Sequence, residues 1–206
     1  LKDGASSYRG TVLDIKRFDL WFPVLKPRIP IYLAAVFPKM LQVCGEIANG
    51  TVLTWSTLEG IKNAVKVVAQ GAIKVGRSPK DIEIVDLITT AVAIDGPPDL
   101  ESLRSSTAFY AGFFPRYNLA LCKNGFPGEA KALRRAYLDG KRGKDLDSLV
   151  PDAMLNAIIV SGSADECRER IEDYRNAGVT MPVIAPRSSG PTAKLHTMSV
   201  LRALAP

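Results

Sequence analysis

Pro30-Ile-Tyr-Leu-Ala-Ala-Val-Phe-Pro-Lys-Met-Leu-Gln-Val-Cys-Gly-Glu-Ile-Ala-Asn-Gly50 carries one strand-to-helix unit from end to end. Ile31 to Val36 is a short apolar run of strand formers. Pro38, two residues on, suits the first turn of a helix, where its missing N–H leaves no bond unmade. A turn is therefore expected at Val36 to Lys39. The helix that follows sets Met40, Leu41, Val43, Cys44 and Ile47 on an apolar side, and Asn49-Gly50, which tolerate a left-handed C-cap, are expected to stop it.

The pattern repeats outward from there. Thr51-Val-Leu-Thr-Trp55 is a second strand, and Ser56-Thr-Leu-Glu59 has capping-box spacing, opening a helix with Ile61, Val65, Val68 and Ile73 on one stripe and its end near Gly76. Asp81 to Ile94 is the longest strand, alternating at first and then nearly continuous, as expected where both faces become covered. From Asp99 to about Asn156 the pattern turns helical, with Phe109, Phe113, Phe114 and Tyr117 clustered and Gly125, Pro127 and Gly140 punctuating separate helices. Ile158-Ile-Val160 is a short apolar piece of undecided type. Ser163-Ala-Asp-Glu166 is another capping box, for a helix ending at Gly178; Met181 to Ala185 is a last strand; Pro186-Arg-Ser-Ser-Gly190 leads to a terminal helix carrying Leu195, Met198, Leu201 and Leu204. Alternating strands and helices imply parallel β/α architecture, because parallel neighbours need a crossover and a helix supplies it. The principal strands number four, half of what a closed (β/α)8 barrel requires over its typical length of about 250 residues.

At 206 residues and 47% hydrophobic, the chain can bury one sizeable core. No stretch approaches the roughly 18 to 20 apolar residues of a membrane span, and Leu1 to Arg9 lack a secretory pattern, so the expectation is a cytoplasmic protein with no membrane partner. Cys44, Cys122 and Cys167 are odd in number and far apart, which suggests neither disulfides nor a metal site. A formal charge of +6 favours anionic ligands, yet the basic residues are scattered. Their densest run, Lys131 to Lys144, is a solvated helix face, so no nucleic-acid partner is expected.

The Pro30 to Gly50 segment resembles the fifth-strand signature of the luciferase-like flavin- or deazaflavin-dependent oxidoreductases, where an Ile-Tyr strand passes through a Gly-Pro turn into a helix ending near Ala-Asp-Gly. Ser161-Gly-Ser-Ala-Asp-Glu-Cys-Arg-Glu-Arg-Ile171 with Asn176-Ala-Gly-Val179 resembles the family's late Gly-Thr-Pro-Glu-Glu helix. Val183-Ile-Ala-Pro186 resembles its eighth strand, and Tyr8-Arg-Gly10 to Pro30 its extended lead-in. The resemblance implies an α/β fold, a TIM (β/α)8 barrel of the bacterial-luciferase type, of which this chain holds about strands five to eight as a single domain over 1–206 with a helical insertion at 99–156; strands one to four are expected before Leu1. Phe37 stands where the family has Gly and Asn49 where it has Asp. Phe37 weighs against close backbone contact with a phosphate at that turn.

In such barrels ligands sit at the C-terminal strand ends. That rule selects Ala35, Val36, Phe37 and Lys39 after the first strand, Thr54, Trp55 and Ser56 after the second, Thr89 to Ala91 after the third, and Pro186, Arg187 and Ser188 after the last. Ala35, Val36, Phe37, Lys39, Thr54, Trp55 and Arg187 are the expected cofactor-binding residues, Arg187 because its fork engages phosphate oxygens in pairs. Bland readings stand beside these: Lys39 as a solvated helix residue, Ser56 as a helix cap, Trp55 as cover for the rim, and His196, in the terminal helix, as a packing or surface residue. No acid–base pair or metal-ligand spacing emerges, so catalytic residues stay unassigned and no metal is expected. The resemblance implies hydride transfer or flavin-mediated monooxygenation on a small organic substrate, chemistry the cofactor carries. The deazaflavin coenzyme F-420 is preferred over FMN, on the likeness of Asn124-Gly-Phe-Pro-Gly128 to members assigned to it. By itself the chain is expected to be a poor catalyst; the alternative is a non-catalytic half-barrel that pairs as a homodimer.

Overall fold

The computed structural model describes residues 4–23, 28–94, 96–187, 191 and 193–205. Contacts gather into two compact units, Leu1–Ile31 and Tyr32–Pro206. In the first, β1 (Ala5–Arg9) and β2 (Asp14–Asp19) pair antiparallel, with Ala5 opposite Asp19 and Arg9 opposite Asp14. The lead-in expected to be merely extended is thus a hairpin, closed by the Gly10 N–H donating to the Leu13 carbonyl at 2.9 Å.

The second unit holds a parallel five-stranded sheet: β3 (Tyr32–Ala34), β4 (Gly50–Thr54), β5 (Glu83–Val92), β6 (Val160–Gly162) and β7 (Met181–Pro186). Strand β5 organises it. Its first half pairs with β4, Gly50 opposite Glu83 to Thr54 opposite Leu87, while Val85 to Thr90 pair with β7 on the other edge. Beyond Leu87 the β4 chain turns away, and β6 takes its place opposite Thr90 to Val92. The piece of undecided type therefore divides: Ile158 ends α7 (Asp152–Ile158), and Val160 begins β6.

Helices α1 (Pro38–Ile47), α2 (Leu58–Lys74), α8 (Ala164–Asn176) and α9 (Ala193–Leu204) follow β3, β4, β6 and β7. Alternation along the strands sends Leu53, Ile84 and Ile88 toward a core shared with Leu41 and Cys44 of α1, Ile61 and Val68 of α2, and Ile171 and Tyr174 of α8. Leu87, Met181 and Val183, on the opposite face, are 37–41% exposed. A second core lies among α3 (Leu100–Phe113), α4 (Pro115–Lys123), α5 (Pro127–Leu138), α6 (Lys144–Asp147) and α7, built on Leu103, Leu121, Leu133 and Met154, with Ala91 of β5 and Trp55 against it.

Several expectations are corrected. Helix α1 does not close through a left-handed Asn49-Gly50; Ala48 ends it in extended conformation (φ −88°, ψ 162°). Its last carbonyls find Arg77, whose Nη1 and Nη2 donate to Gly45 O at 2.9 Å and Ala48 O at 2.6 Å. Gly50 is small for a different reason: a Cβ there would meet the Tyr32 ring at 2.3 Å. Met40 and Ile47 point outward, 44% and 71% exposed, and Ile73 of α2 is 66% exposed. The α1–α2 contact is made by backbone instead, at Gly45 and Gly71, where a Cβ would lie 2.1 Å from Val68 O and 2.2 Å from Gln42 O. Ser163 and Glu166 form the expected capping box on α8. Gly76 and Gly178 take positive φ where their helices stop.

Candidate functional site

All strands of the parallel sheet end on one edge, and β3 and β4 end beside each other there, Ala34 opposite Val52. Phe37 (φ −117°, ψ 146°) precedes α1 without side-chain capping, and Pro38 fills the first turn. On α2 the cap is Thr57, whose hydroxyl accepts the Gly60 N–H at 3.1 Å, and not Ser56. Ser56 is instead buried, at 9% exposure, near the Asp86 carboxyl on β5.

Two cavities adjoin at this edge, one of about 210 Å³ and one of about 200 Å³, sharing Val36, Thr54, Trp55 and Ala120. The first runs between the starts of α1 and α2, with Pro38, Ser56, Gly60, Asn63, Lys123 and Asn124 around it. The second opens on the exposed face of the sheet, against Ala34, Ala35, Val52, Arg116 and Tyr117. Trp55 walls both. Its φ of +53° makes it the one non-glycine residue with positive φ among those described. Such a conformation costs on the order of 1 kcal/mol in a residue with a bulky side chain, so the surroundings must hold it. Two elements do. Asn124 Nδ2, at the end of α4, donates to Trp55 O at 2.9 Å, and Tyr174 Oη, on α8, donates to Ser56 O at 3.3 Å. The indole packs on Tyr117 and Tyr110, centroids 4.9 and 5.9 Å away.

Charge at the site comes from α4. Arg116 Cζ and Lys123 Nζ lie 5.5 and 5.3 Å from the centroid of the Phe37 ring, and neither makes an ion pair among the described residues. Phe37, which displaces the usual glycine, carries two cations in its place. With Ala120 they occupy positions i, i+4 and i+7 of α4, so one helical stripe faces the strand ends. Asp86 is the buried charge, 1% exposed, with Oδ2 lacking any hydrogen-bond partner. Burial lifts its carboxyl to about 6 against the opposing pull of Ser56. The Tyr174 phenol is pushed up by burial first and by the Asp86 charge second.

Of the residues selected from sequence, Ala35, Val36, Thr54 and Trp55 line the cavities and Phe37 stands beside them with its cations. Lys39 is exposed on α1, outside the lining. Arg187 follows β7, its N–H donating to Thr90 O at 2.9 Å and its side chain exposed, also outside the lining. Ser188 lies outside the described residues. Sequence reasoning missed Arg116, Tyr117, Lys123 and Asp86. The Arg116-Ala120-Lys123 stripe was a usable signal; for Asp86, the signal was a lone carboxylate at an inward position of an otherwise apolar strand. Among the described residues no group of His, Cys, Asp and Glu is placed to hold a metal, and no helix is long and apolar enough to cross a membrane.

Residues 1–181 match the family model for luciferase-like monooxygenases. The 5,10-methylenetetrahydromethanopterin reductase of Methanolobus tindarius is 30% identical over 164 residues, 79% of this chain and 49% of that protein. The enzyme of the same name from Archaeoglobus fulgidus is 30% identical over 92% of this chain and 57% of its own length. The chain thus spans about half the length of the curated relatives it matches. Among solved structures, the coenzyme F-420-dependent tetrahydromethanopterin reductase of Methanopyrus kandleri superposes with a TM-score of 0.75 at 24% identity, covering 95% of this chain and 55% of that one. An F-420-dependent secondary alcohol dehydrogenase superposes at 0.67 and 17% identity, covering 99% and 57%. The parallel sheet, its crossover helices and these superpositions agree with the sequence signature: the chain belongs to the luciferase-like monooxygenase family and has the fold of part of its barrel.

Proposed function

We propose that this chain is the cofactor-holding part of a deazaflavin-dependent oxidoreductase, acting on a small organic substrate by hydride transfer. The observation that carries the reading is the paired cavity at the strand ends, aromatic and apolar on one side, cationic and amide-rich on the other. The donor set fits an anionic, ring-bearing cofactor. Val36, Val52, Trp55 and Tyr117 offer a dry wall for a planar ring, while Lys123, Arg116, Asn63 and Asn124 supply donors for an anionic tail. Gly60 keeps that side open, since a Cβ there would meet Asn124 Oδ1 at 2.9 Å. Coenzyme F-420 is preferred over FMN, a preference supported by the likeness to the F-420-dependent reductase and dehydrogenase structures.

When bound, the deazaflavin supplies the hydride chemistry at its ring. The chain's own residues bind, orient and exclude water. The titratable side chains lining the cavities are those of Arg116, Tyr117 and Lys123, with no carboxylate or histidine, so general acid–base groups are assigned to none of these residues. We read the single domain as extending over 1–206, and the three free cysteines as fitting a reducing cytoplasm. Light scattering tests the homodimer reading, which a monomeric mass at micromolar concentration removes.

Fluorescence titration of the purified chain with F-420 and with FMN tests the cofactor. Saturable binding, tighter for F-420, is expected, with Lys123→Gln or Arg116→Gln weakening it roughly tenfold by loss of a charge-assisted contact. Failure of both cofactors to bind would sink the proposal.

A further inference from the structure

Asn124-Gly-Phe-Pro-Gly128 closes α4. The Asn124 N–H donates to Ala120 O at 2.9 Å, Gly125 follows in left-handed conformation (φ +101°), and the Phe126 N–H returns to Leu121 O at 3.1 Å, so backbone alone satisfies this helix end. The Asn124 side chain is left over from capping. It reaches 69 residues back along the chain, where Nδ2 donates to Trp55 O at 2.9 Å. A carbonyl only accepts, so the amide nitrogen must face Trp55; Oδ1 is turned toward α2, where a Cβ on Gly60 would meet it at 2.9 Å. The amide is thus wedged between the Trp55–Ser56 turn and the start of α2. One of its N–H groups is used in this way, and the second remains for the cavity that Asn124 also lines.

We propose that Asn124 is a positioning residue: its side-chain amide holds Trp55 in left-handed conformation and so fixes the indole that walls both cavities. Positive φ is disfavoured for any residue with a Cβ, so without this bond the turn would relax toward negative φ and carry the indole with it. The second hydrogen bond on the turn, from Tyr174 Oη to Ser56 O at 3.3 Å, is longer and acts one residue later. Asn124 directly follows Lys123, and the same helix brings Lys123 and Arg116 to the Phe37 ring. Helix α4 therefore sets both the aromatic wall and the cations, and Asn118 ties it in turn to the Ala111 and Ala130 carbonyls of α3 and α5. A ligand with a flat ring and an anionic tail would meet wall and cations in fixed register. That they serve a cofactor rests on the deazaflavin reading; the hold of Asn124 on Trp55 does not.

The test reads the indole with no cofactor present, so its failure and the failure of the deazaflavin reading are separate results. Trp21, 92% exposed, is replaced by Phe so that emission reports Trp55 alone. Time-resolved anisotropy and acrylamide quenching are compared in Trp21→Phe and with Asn124→Ala, Asn124→Asp, Gly60→Ala or Asn118→Ala added, melting curves confirming that each is folded. Asn124→Asp keeps the shape and loses the donor; Gly60→Ala favours the helix yet pushes on Oδ1; Asn118→Ala loosens α4 without touching the turn. A freer, more readily quenched indole is expected in the first three, and an unchanged one in Asn118→Ala, which should only lower the melting temperature. An indole unmoved in any folded one of the first three, or moved equally by Asn118→Ala, would overturn the proposal.

Discussion

Thr57 caps α2 although Ser56, with Glu59 three residues on, has the better capping-box spacing. Ser56 is instead buried, at 9% exposure, and its carbonyl accepts from Tyr174 Oη of α8. Thr57→Ala should therefore cost about 1 kcal/mol of stability in denaturant melts, the usual cost of a lost cap. Asp86 makes a prediction of its own. A carboxyl whose folded value, about 6, lies above its ordinary 3.8 takes up its proton more readily when folded. Stability should then fall as pH rises from about 4 to about 6, by on the order of 3 kcal/mol once ionisation is complete. Asp86→Asn should flatten that slope. A wild-type melting profile that does not decline over this window would contradict the assignment. At this scale Trp55 and Thr54 were legible through their position at a strand end, while Asp86 was not, because its burial comes from tertiary packing around β5.

Helices α1 and α2 are held against each other less by large side chains than by close backbone approach. Gly45 faces Val68 O and Gly71 faces Gln42 O at distances no Cβ can occupy. Gly45→Ala or Gly71→Ala should destabilise by about 2 kcal/mol or more through forced separation of the helices. Gly128, at the start of α5 with nothing within 4 Å of an added Cβ, serves as the control, and Gly128→Ala should be neutral to slightly stabilising by about 0.5 kcal/mol. Equal losses at all three positions would contradict the packing account. Helix periodicity in the sequence marked Met40, Ile47 and Ile73 as inward and overlooked these glycines. Hydrophobicity counts a glycine as nothing, whereas a tight helix pair needs it most.

Over the whole molecule, one face of the parallel sheet is clothed by α1, α2, α8 and α9 and the other presents Leu87, Met181 and Val183 to solvent. Exposed, contiguous apolar surface of this kind binds hydrophobic dyes. The chain should bind ANS at neutral pH. Leu87→Glu combined with Val183→Lys should abolish most of that binding with less than about 1 kcal/mol lost from stability, since neither side chain is in the core. Undiminished dye binding in the folded variant would place the apolar surface elsewhere, for instance on Phe109, Phe113 and Phe114, which are 37–45% exposed.

The order of β3, β4, β5 and β7 with α1, α2, α8 and α9, the Pro38 start of α1, the Ser163–Glu166 capping box and the glycine stops at Gly76 and Gly178 were all determined by sequence alone. Each is a local event whose partners lie within a few residues. Tertiary structure decided the rest. The replacement of β4 by β6 along β5, the capping of α1 by Arg77, and the meeting of Arg116 and Lys123 with Phe37 join residues distant along the chain. The left-handed turn at Trp55 is the sharpest case. Its two hydrogen-bond restraints come from Asn124 at the end of α4 and Tyr174 on α8, 69 and 118 residues further along, and no local preference of a tryptophan favours that conformation.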